Sequence, residues 1–467
     1  MHSGGVWRRT AAAIVAIFAL TGPVSVSATP WLDAEELHVR HSLQVLADAG
    51  LLRAPVTTFP VLWRPLLADL EALDPAVLTE LQQVAYYKLM ALLNYHKGSA
   101  YTSLRVAGVT DTGAQPSYQR PMEGKASVAV SHERIGSSLA GRLRTTYRDS
   151  SLSLNPRVRT DNLSWQGSYA AGMVGDWMFS VDQLHTWWSP GSAQDGLHTV
   201  STLPLRSLRT VYAPSAASRF SALSFTAFYG ESEEKFLVDP SLSLWSREEA
   251  FGARLGWRAH ERLELGLHFT RSSLDGAGSG GASGSGSASG SASASDDAES
   301  LVFDARLSLP YQFNFYGSIS EHRVPARYAT STDSDDVRGN GHMVGLDWSF
   351  AEPEQLSRFY AEHDRSDLRS LTTFGYASFR NSGLGWDFRI QDTRIRRDHN
   401  NFGRAARFEL LPEFRPGIAR IQQFEAAVFY PIGPGLLELG VQAWQDTYES
   451  GRKDEFGNLI ASYELRW

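Results

Sequence analysis

Apolar and polar residues alternate with a period of two through most of the chain between residues 99 and 467. Residues 262–269 (RLELGLHF) show this most clearly, because every second position is leucine or phenylalanine. A β-strand turns successive side chains to opposite faces, so each such segment predicts a strand with one apolar and one polar face. The same alternation recurs in residues 139–148, 251–257, 437–442 and 459–467.

A soluble β-sandwich would also alternate, but further features favour a transmembrane barrel. The segments number about eighteen to twenty, their polar faces carry arginine and glutamate as a wet lumen requires, and aromatic residues lie near strand ends. The chain also stops on Trp467 within its last predicted strand. We therefore predict an all-β transmembrane barrel of about 18 antiparallel strands over residues 99–467, with a small N-terminal α-helical domain. Counting strands forward from residue 260 and back from a periplasmic C-terminus gives opposite parities, so one strand between residues 393 and 421 is miscounted. The total should therefore be about 18 or 20.

Residues 1–28 have the order of a secretory signal peptide. Arg8 and Arg9 precede an apolar run over residues 11–20, and small residues at 26–28 offer a cleavage site. A membrane anchor is the alternative, but it needs about 20 apolar residues and this run has half of that. A barrel with such a leader is expected in the outer membrane of a Gram-negative cell.

Residues 29–98 instead have a helical period and predict a small periplasmic helical bundle. Three helices are expected: one that ends at Gly50, one after Pro65, and one that begins at the N-cap Asp74. Residues 55–60 (PVTTFP) form an extended connector between the first two. A domain of this size needs another surface to pack against.

Long and short connections are predicted to alternate along the barrel. Short turns at residues 259–261 and 310–311 should face the periplasm, which makes residues 273–300 an external loop. Its tract 276–295 contains only glycine, serine and alanine, a composition that forms a flexible tether and no core. Residues 323–340 are predicted to form the next external loop.

The composition excludes several classes of function. The chain has no cysteine, so disulfides, thiolate metal sites and cysteine nucleophiles are excluded. It has 44 Lys+Arg against 51 Asp+Glu, a balance that does not predict a nucleic-acid partner. Because residues 1–28 hold two arginines and no acidic residue, their removal changes the formal net charge from −7 to −9. No cofactor motif is found.

The densest cluster of polar and aromatic residues is 175–191 (GDWMFSVDQLHTWWSPG). Its second half resembles the signature of the capsule-assembly Wzi family, which is close to Gln-x-Asp-Arg-Trp-Trp-Gly-Pro-Gly. Residues 43–50 (LQVLADAG), followed by the connector 55–60, are similar to the N-terminal helical region of that family. The chain departs from the signature at His185, Thr186 and Ser189, and the Ser-Asn-Asn-Ala-Arg pattern of the family is missing after Leu197.

The resemblance implies a barrel closed to free diffusion that acts as a surface lectin. Such a lectin would bind and anchor capsular polysaccharide, contribute to capsule assembly and perform no chemistry. The residue types suit this role, because indole rings stack on sugar CH groups and polar side chains hydrogen-bond hydroxyls. The candidate binding residues here are Asp182, Gln183, His185, Trp187 and Trp188. In the alternative interpretation, one indole belongs to the aromatic girdle and the other packs the barrel.

A row of arginines is the second candidate site. Arg142, Arg144 and Arg148 share the polar face of one predicted strand, with Arg157 and Arg159 across a predicted loop. Guanidinium groups suit the carboxylates of acidic polysaccharides. The alternative is that these arginines form salt bridges with acidic residues on the opposite wall and fill the lumen.

Two other classes of function stay open. The same barrel with an open lumen would be a porin-like channel for anionic solutes or saccharides. A hydrolase would need a serine, a histidine and an acid in contact, but no Gly-x-Ser-x-Gly, His-Glu-x-x-His or phosphate-loop motif occurs, and His399 has no evident serine partner. The acidic tract 333–336 lacks the spacing of a calcium loop. Outer-membrane lipid and lipopolysaccharide are the other expected partners, and the sequence does not set the oligomeric state.

Overall fold

The computed structural model contains three α-helices and a closed barrel of 18 antiparallel strands, as the period-two pattern predicts. It describes residues 31–32, 37–96, 100–110, 125–136, 138–149, 158–159, 162–192, 204–214, 218–239, 242–276, 297–324, 337–352, 354–366, 369–395 and 418–467. The predicted signal peptide, the tract 277–296, residues 325–336 and residues 396–417 lie outside this range.

The helices are α1 (Leu37–Asp48), α2 (Trp63–Ala72) and α3 (Glu80–His96). Gly50 follows α1 with a φ of 75°, a conformation that costs glycine little. The third helix begins later than predicted, because Asp74 caps only a short 3₁₀ turn through its bond from Ala76 N. Thr79 is the cap of α3: its Oγ1 accepts from Gln82 N, and Gln82 Oε1 accepts from Thr79 N.

The barrel strands run in chain order around the wall, and each is antiparallel to its neighbours. They are β1 (Ala100–Val109), β2 (Ala126–Ile135), β3 (Leu139–Arg148), β4 (Tyr169–Val174), β5 (Trp177–Asp182), β6 (Arg206–Tyr212), β7 (Leu223–Asp239), β8 (Leu242–His260), β9 (Leu263–Gly276), β10 (Asp297–Ser308), β11 (Phe313–Val324), β12 (Val337–Glu352), β13 (Gln355–Ser366), β14 (Arg369–Arg380), β15 (Gly385–Ile395), β16 (Ile418–Ile432), β17 (Gly435–Tyr448) and β18 (Lys453–Arg466).

The pairing of β18 with β1 closes the barrel, from Ile460 opposite Val109 to Arg466 opposite Ser103. Short turns such as 261–262, 381–384 and 433–434 lie at one end, called the turn end below, and the opposite end is called the loop end. Trp467 also lies at the turn end, because neighbouring strands alternate in direction and β18, like β8 and β16, runs towards that end. Strands β9 to β12 are longer than predicted, so the predicted loops 273–300 and 323–340 are shorter at both of their boundaries.

The outer face of the barrel is apolar. Leu143, Ile319 and Leu459 are each about 60 % exposed, which fits contact with lipid. Near the turn end the outward rings of five consecutive strands form a row, with centroids 4.5 to 6.4 Å apart. This row is an aromatic girdle of the kind that marks a membrane interface; its members are Phe313, Trp348, Phe359, Tyr376 and Phe388.

The three helices lie in the turn end of the lumen, where they form a plug. Their apolar faces pack on one another around Leu43, Leu66 and Leu89, which are fully buried. Their polar side chains contact the inner wall: Asp48 reaches Arg306 on β10, and Lys88 reaches the carbonyl of Phe379 on β14. The helical domain therefore packs against the barrel from within. None of the described helices is long and apolar enough to cross a membrane.

Candidate functional site

The chain leaves the barrel wall at the end of β5 and turns into the lumen. There Trp187 and Trp188 form a two-stranded antiparallel sheet with Phe59 and Thr58 of the connector between α1 and α2. The two segments that carry the resemblance, 183–191 and 55–60, are thus paired with each other although they are far apart in sequence. The predicted site lies between the plug and the wall.

Asp182 holds this inward turn in place. Its buried carboxylate accepts hydrogen bonds from Ser180 Oγ at 2.6 Å and Ser207 Oγ at 2.8 Å. Arg209 donates to both carboxylate oxygens, from Nε at 3.0 Å and NH2 at 3.1 Å. Because these protein groups surround the carboxylate, its observed role is to fix the strand end from which the chain departs.

Both indole rings are buried in this structure. Trp187 is 3 % exposed; its Nε1 donates to Gly191 O at 3.2 Å, and the Arg40 guanidinium lies 4.5 Å from its ring. Trp188 is fully buried against Phe228 and His268, with ring centroids 5.3 and 5.6 Å away. Neither ring belongs to the girdle, because both lie past the strand end and inside the lumen.

Gln183 and His185 keep part of their surface. Gln183 is half-buried and donates from Nε2 to Pro204 O at 3.2 Å. The half-buried ring of His185 lies 6.3 Å from the Trp187 ring, and its Nδ1 is buried without a hydrogen-bond partner in the described structure. Among the five candidate residues of the segment 175–191, called the tryptophan segment below, these two keep accessible surface.

The arginines of β3 face the lumen, on the face opposite the exposed Leu143 and Tyr147. Arg142 Nε donates to Gly167 O at 2.6 Å, and its guanidinium lies 5.3 Å from the Tyr169 ring. Arg144 is half-buried and Arg148 is 4 % exposed. Arg157 lies outside the described residues, and Arg159 belongs to a short strand that pairs with β7.

An ion-pair chain that the sequence analysis did not single out joins plug and wall. Asp48 at the end of α1 accepts from Arg306 Nε at 2.9 Å and from Arg306 NH2 at 2.6 Å. Arg306 also contacts Asp347 on β12 at 2.8 Å, and Arg358 on β13 donates to Asp347 at 2.6 Å. All four side chains are buried. The positive charges of the two arginines are therefore neutralised by the negative charges of the two aspartates.

A second polar network binds the connector 55–60. Glu264 Oε1 on β9 accepts from Val56 N, Thr57 N and Thr57 Oγ1 at 3.0, 2.9 and 2.6 Å. Arg254 on β8 donates to the hydroxyls of Thr57 and Thr58 at 3.0 and 2.8 Å. Asp304 balances the charge of Arg254 at 2.6 Å. The charged face of the predicted 251–269 hairpin therefore recognises the connector.

Two titratable groups of the plug are perturbed by burial. His41 on α1 bonds Ser349 Oγ at 3.1 Å, and burial, with Arg358 nearby, holds its pKa well below the ordinary value. Lys88 on α3 donates to Phe379 O at 2.8 Å, and burial lowers its pKa to about 8. Docking of the plug thus removes both groups from water.

The described residues hold no group of three His, Asp or Glu side chains that could bind a metal ion. His399 and the acidic tract 333–336 lie outside the described residues.

The structural comparisons support the fold. The chain is similar to Wzi, an outer-membrane protein involved in group 1 capsule assembly in Escherichia coli and a carbohydrate-binding β-barrel. The identity is 13 %, the match covers 94 % of this chain and 99 % of that one, and the TM-score is 0.68. The chain also aligns with OccAB1 of Acinetobacter baumannii at 9 % identity, over 79 % of this chain and 96 % of that one, with a TM-score of 0.45. A BenF-like porin of Pseudomonas fluorescens aligns at 11 % identity, over 79 % and 98 %, with a TM-score of 0.44.

No family model matches the chain, and no curated protein matches its sequence. At 13 % identity the likeness to Wzi is one of fold.

Proposed function

We propose that this protein binds capsular or other surface polysaccharide at the outer membrane and holds it on the cell, without chemistry and without a cofactor. After removal of residues 1–28 the chain inserts into the Gram-negative outer membrane. The turn end, with the plug, faces the periplasm, and the loop end faces the medium. In this role the protein contributes to capsule assembly.

The observation that carries the proposal is the anchoring of the plug. Asp48 and Arg306 pair across the plug–wall interface, and Glu264, the register partner of Arg306 on the adjacent strand β9, binds three groups of the connector. Breaking a buried ion pair by removing one partner costs about 3 to 5 kcal/mol, so the plug does not leave the lumen readily. A fixed plug is unsuited to a diffusion channel and suited to a protein that works at its outer surface.

The fold similarity supports the same function. The match to Wzi covers the helical region as well as the barrel, because it extends over 94 % of this chain. That protein is a carbohydrate-binding barrel involved in capsule assembly, and the tryptophan segment 175–191 resembles the signature of its family. The carbohydrate is therefore the first ligand to test here.

Within the predicted binding set, the accessible side chains are proposed to contact the polymer and the buried ones to position them. Gln183, His185, Arg142 and Arg144 retain accessible surface and offer donors to hydroxyls and carboxylates. The buried members Asp182, Trp187, Trp188 and Arg148 hold the inward turn and the wall around it. Individual contacts of this kind are weak, and many repeats bound by many copies supply the avidity.

The test is the ratio of cell-associated to released polysaccharide in a deletion strain complemented with variants. We expect polymer to be made but shed in the deletion strain, and shed in part with Gln183→Ala/His185→Ala or Arg142→Gln/Arg144→Gln. The matched control is Arg134→Gln, an exposed arginine on the outer face of β2. Retention of the polymer in the deletion strain would contradict the proposal.

Conductance of the purified barrel in planar bilayers separates this function from a channel. A plugged barrel should carry no steady ion current. A stable open conductance of the wild-type protein would favour the porin-like function instead.

A further inference from the structure

Two arginines stand side by side on the outer surface of the barrel, towards the loop end. Arg394 on β15 and Arg420 on β16 are directly opposite each other in the strand register. Their side chains are 65 % and 39 % exposed. Like charges directly opposite each other destabilise a pair of strands, so this arrangement calls for a nearby anion.

Among the described residues that bond the two arginines, Asp392 supplies one negative charge against their two positive charges. It accepts from Arg394 Nε at 3.2 Å and from Arg420 Nε. Among the described residues, both guanidiniums bond Asp392 through Nε. The terminal nitrogens of an arginine are the atoms that bind phosphate in a bidentate manner.

The height of the pair on the barrel wall indicates its surroundings. On β16 the outward residues are apolar from Ile432 to Phe424, and the next outward residues are Gln422 and Arg420. From Ile432 to Arg420 the strand advances by twelve residues, which rise about 40 Å along the strand and about 30 Å along the barrel axis at the usual tilt. The apolar band of an outer-membrane barrel is about 25 Å tall, so Arg420 lies beyond it, at the level of the lipid headgroups.

We propose that Arg394 and Arg420 form a binding site for the phosphate groups of the phosphorylated glycolipid in the outer leaflet. The site is separate from the lumen and faces the membrane. It rests on the proposed outer-membrane location and does not require polysaccharide binding. Its role is to hold a lipid molecule against the outer face of β15 and β16.

The test uses the full-length protein in detergent, mixed with bisphosphorylated lipid A or with the same lipid after enzymatic dephosphorylation. Lipid retained per protein after washing is measured by mass spectrometry. We expect the wild type to retain about ten times more of the phosphorylated lipid. Arg394→Gln/Arg420→Gln should lower that retention to the level of the dephosphorylated lipid, and Arg394→Lys/Arg420→Lys should give an intermediate value because charge remains without the planar fork.

Arg134→Gln/Arg262→Gln is the matched control, because both arginines are exposed near the turn end and the two changes remove the same two charges. Heat-dependent migration in gels verifies that each variant is a folded barrel. Equal retention of both lipids by the wild type, or full retention by a folded Arg394→Gln/Arg420→Gln variant, would overturn the proposal. The assay contains no polysaccharide, so such a failure would leave the polysaccharide-binding proposal untouched.

Discussion

Arg306 on the barrel wall is shared between Asp48 of the plug and Asp347 of the wall, with shortest N–O distances of 2.6 and 2.8 Å. The guanidinium therefore joins a helix end to two strands of the barrel. Because Asp347 belongs to the wall, Arg306 keeps a charge partner when the plug is removed, although it then shares this carboxylate with Arg358. The plug therefore packs on an inner surface that carries its own charge partner for Arg306.

Loss of the Asp48 carboxylate should loosen the plug. We expect Asp48→Ala to destabilise docking by about 2 to 4 kcal/mol, somewhat less than a fully stranded ion because Asp347 still pairs with Arg306. Bursts of ion current in planar bilayers, absent from the wild type, would show the loss. Glu80→Ala, which changes an exposed acid at the start of α3, is the control. If the Asp48→Ala barrel shows no such bursts of current, the connector alone retains the plug.

Substitution of a buried tryptophan should lower the stability of the protein, and polymer should be lost only because less protein remains. Trp188→Ala removes a fully buried indole from between Phe228 and His268, and such truncations cost about 3 to 5 kcal/mol. We expect less protein in the membrane, a lower unfolding temperature and shedding of polymer in proportion to the lost protein. Normal amounts of a stable Trp188→Ala barrel that nevertheless sheds polymer would show that the ring contacts the ligand directly.

The barrel was predictable because each strand encodes its own two faces. Leu143 alternates with Arg142 and Arg144, and this local pattern defines the wall without knowledge of any contact. The plug contacts were not predictable in this way. Asp182 pairs with Arg209 and Glu264 binds Thr57, contacts that join residues 27 and 207 positions apart. A helix reveals that it has an apolar face, but the sequence does not say that the partner surface is the inside of the barrel.

Lys88 should make docking of the plug depend on pH in the alkaline range. Its pKa is about 8 in the docked plug and 10.5 in water, so an undocked plug binds more protons between these values. Docking should therefore become more stable as pH rises from 8 to about 10.5, by at most about 3 kcal/mol before solvent screening reduces the effect. Lys88→Gln should lose this rise. We would measure the plug-release temperature of the wild type and of Lys88→Gln at pH 7.5 and 9.5. An equal change of that temperature with pH in the two proteins would contradict the assignment to Lys88.

The orientation of the barrel can be tested at its two ends. An epitope inserted in the Gly/Ser/Ala tract 276–295 should be labelled by antibody on intact cells, whereas one inserted in the turn Pro310–Gln312 should be labelled only after permeabilisation. Insertion in a long loop costs little, because each doubling of loop length adds only about 0.6 kcal/mol of closure entropy. Reversed labelling would place the plug at the cell surface and Arg394 and Arg420 in the inner leaflet, and would remove the basis of the glycolipid site.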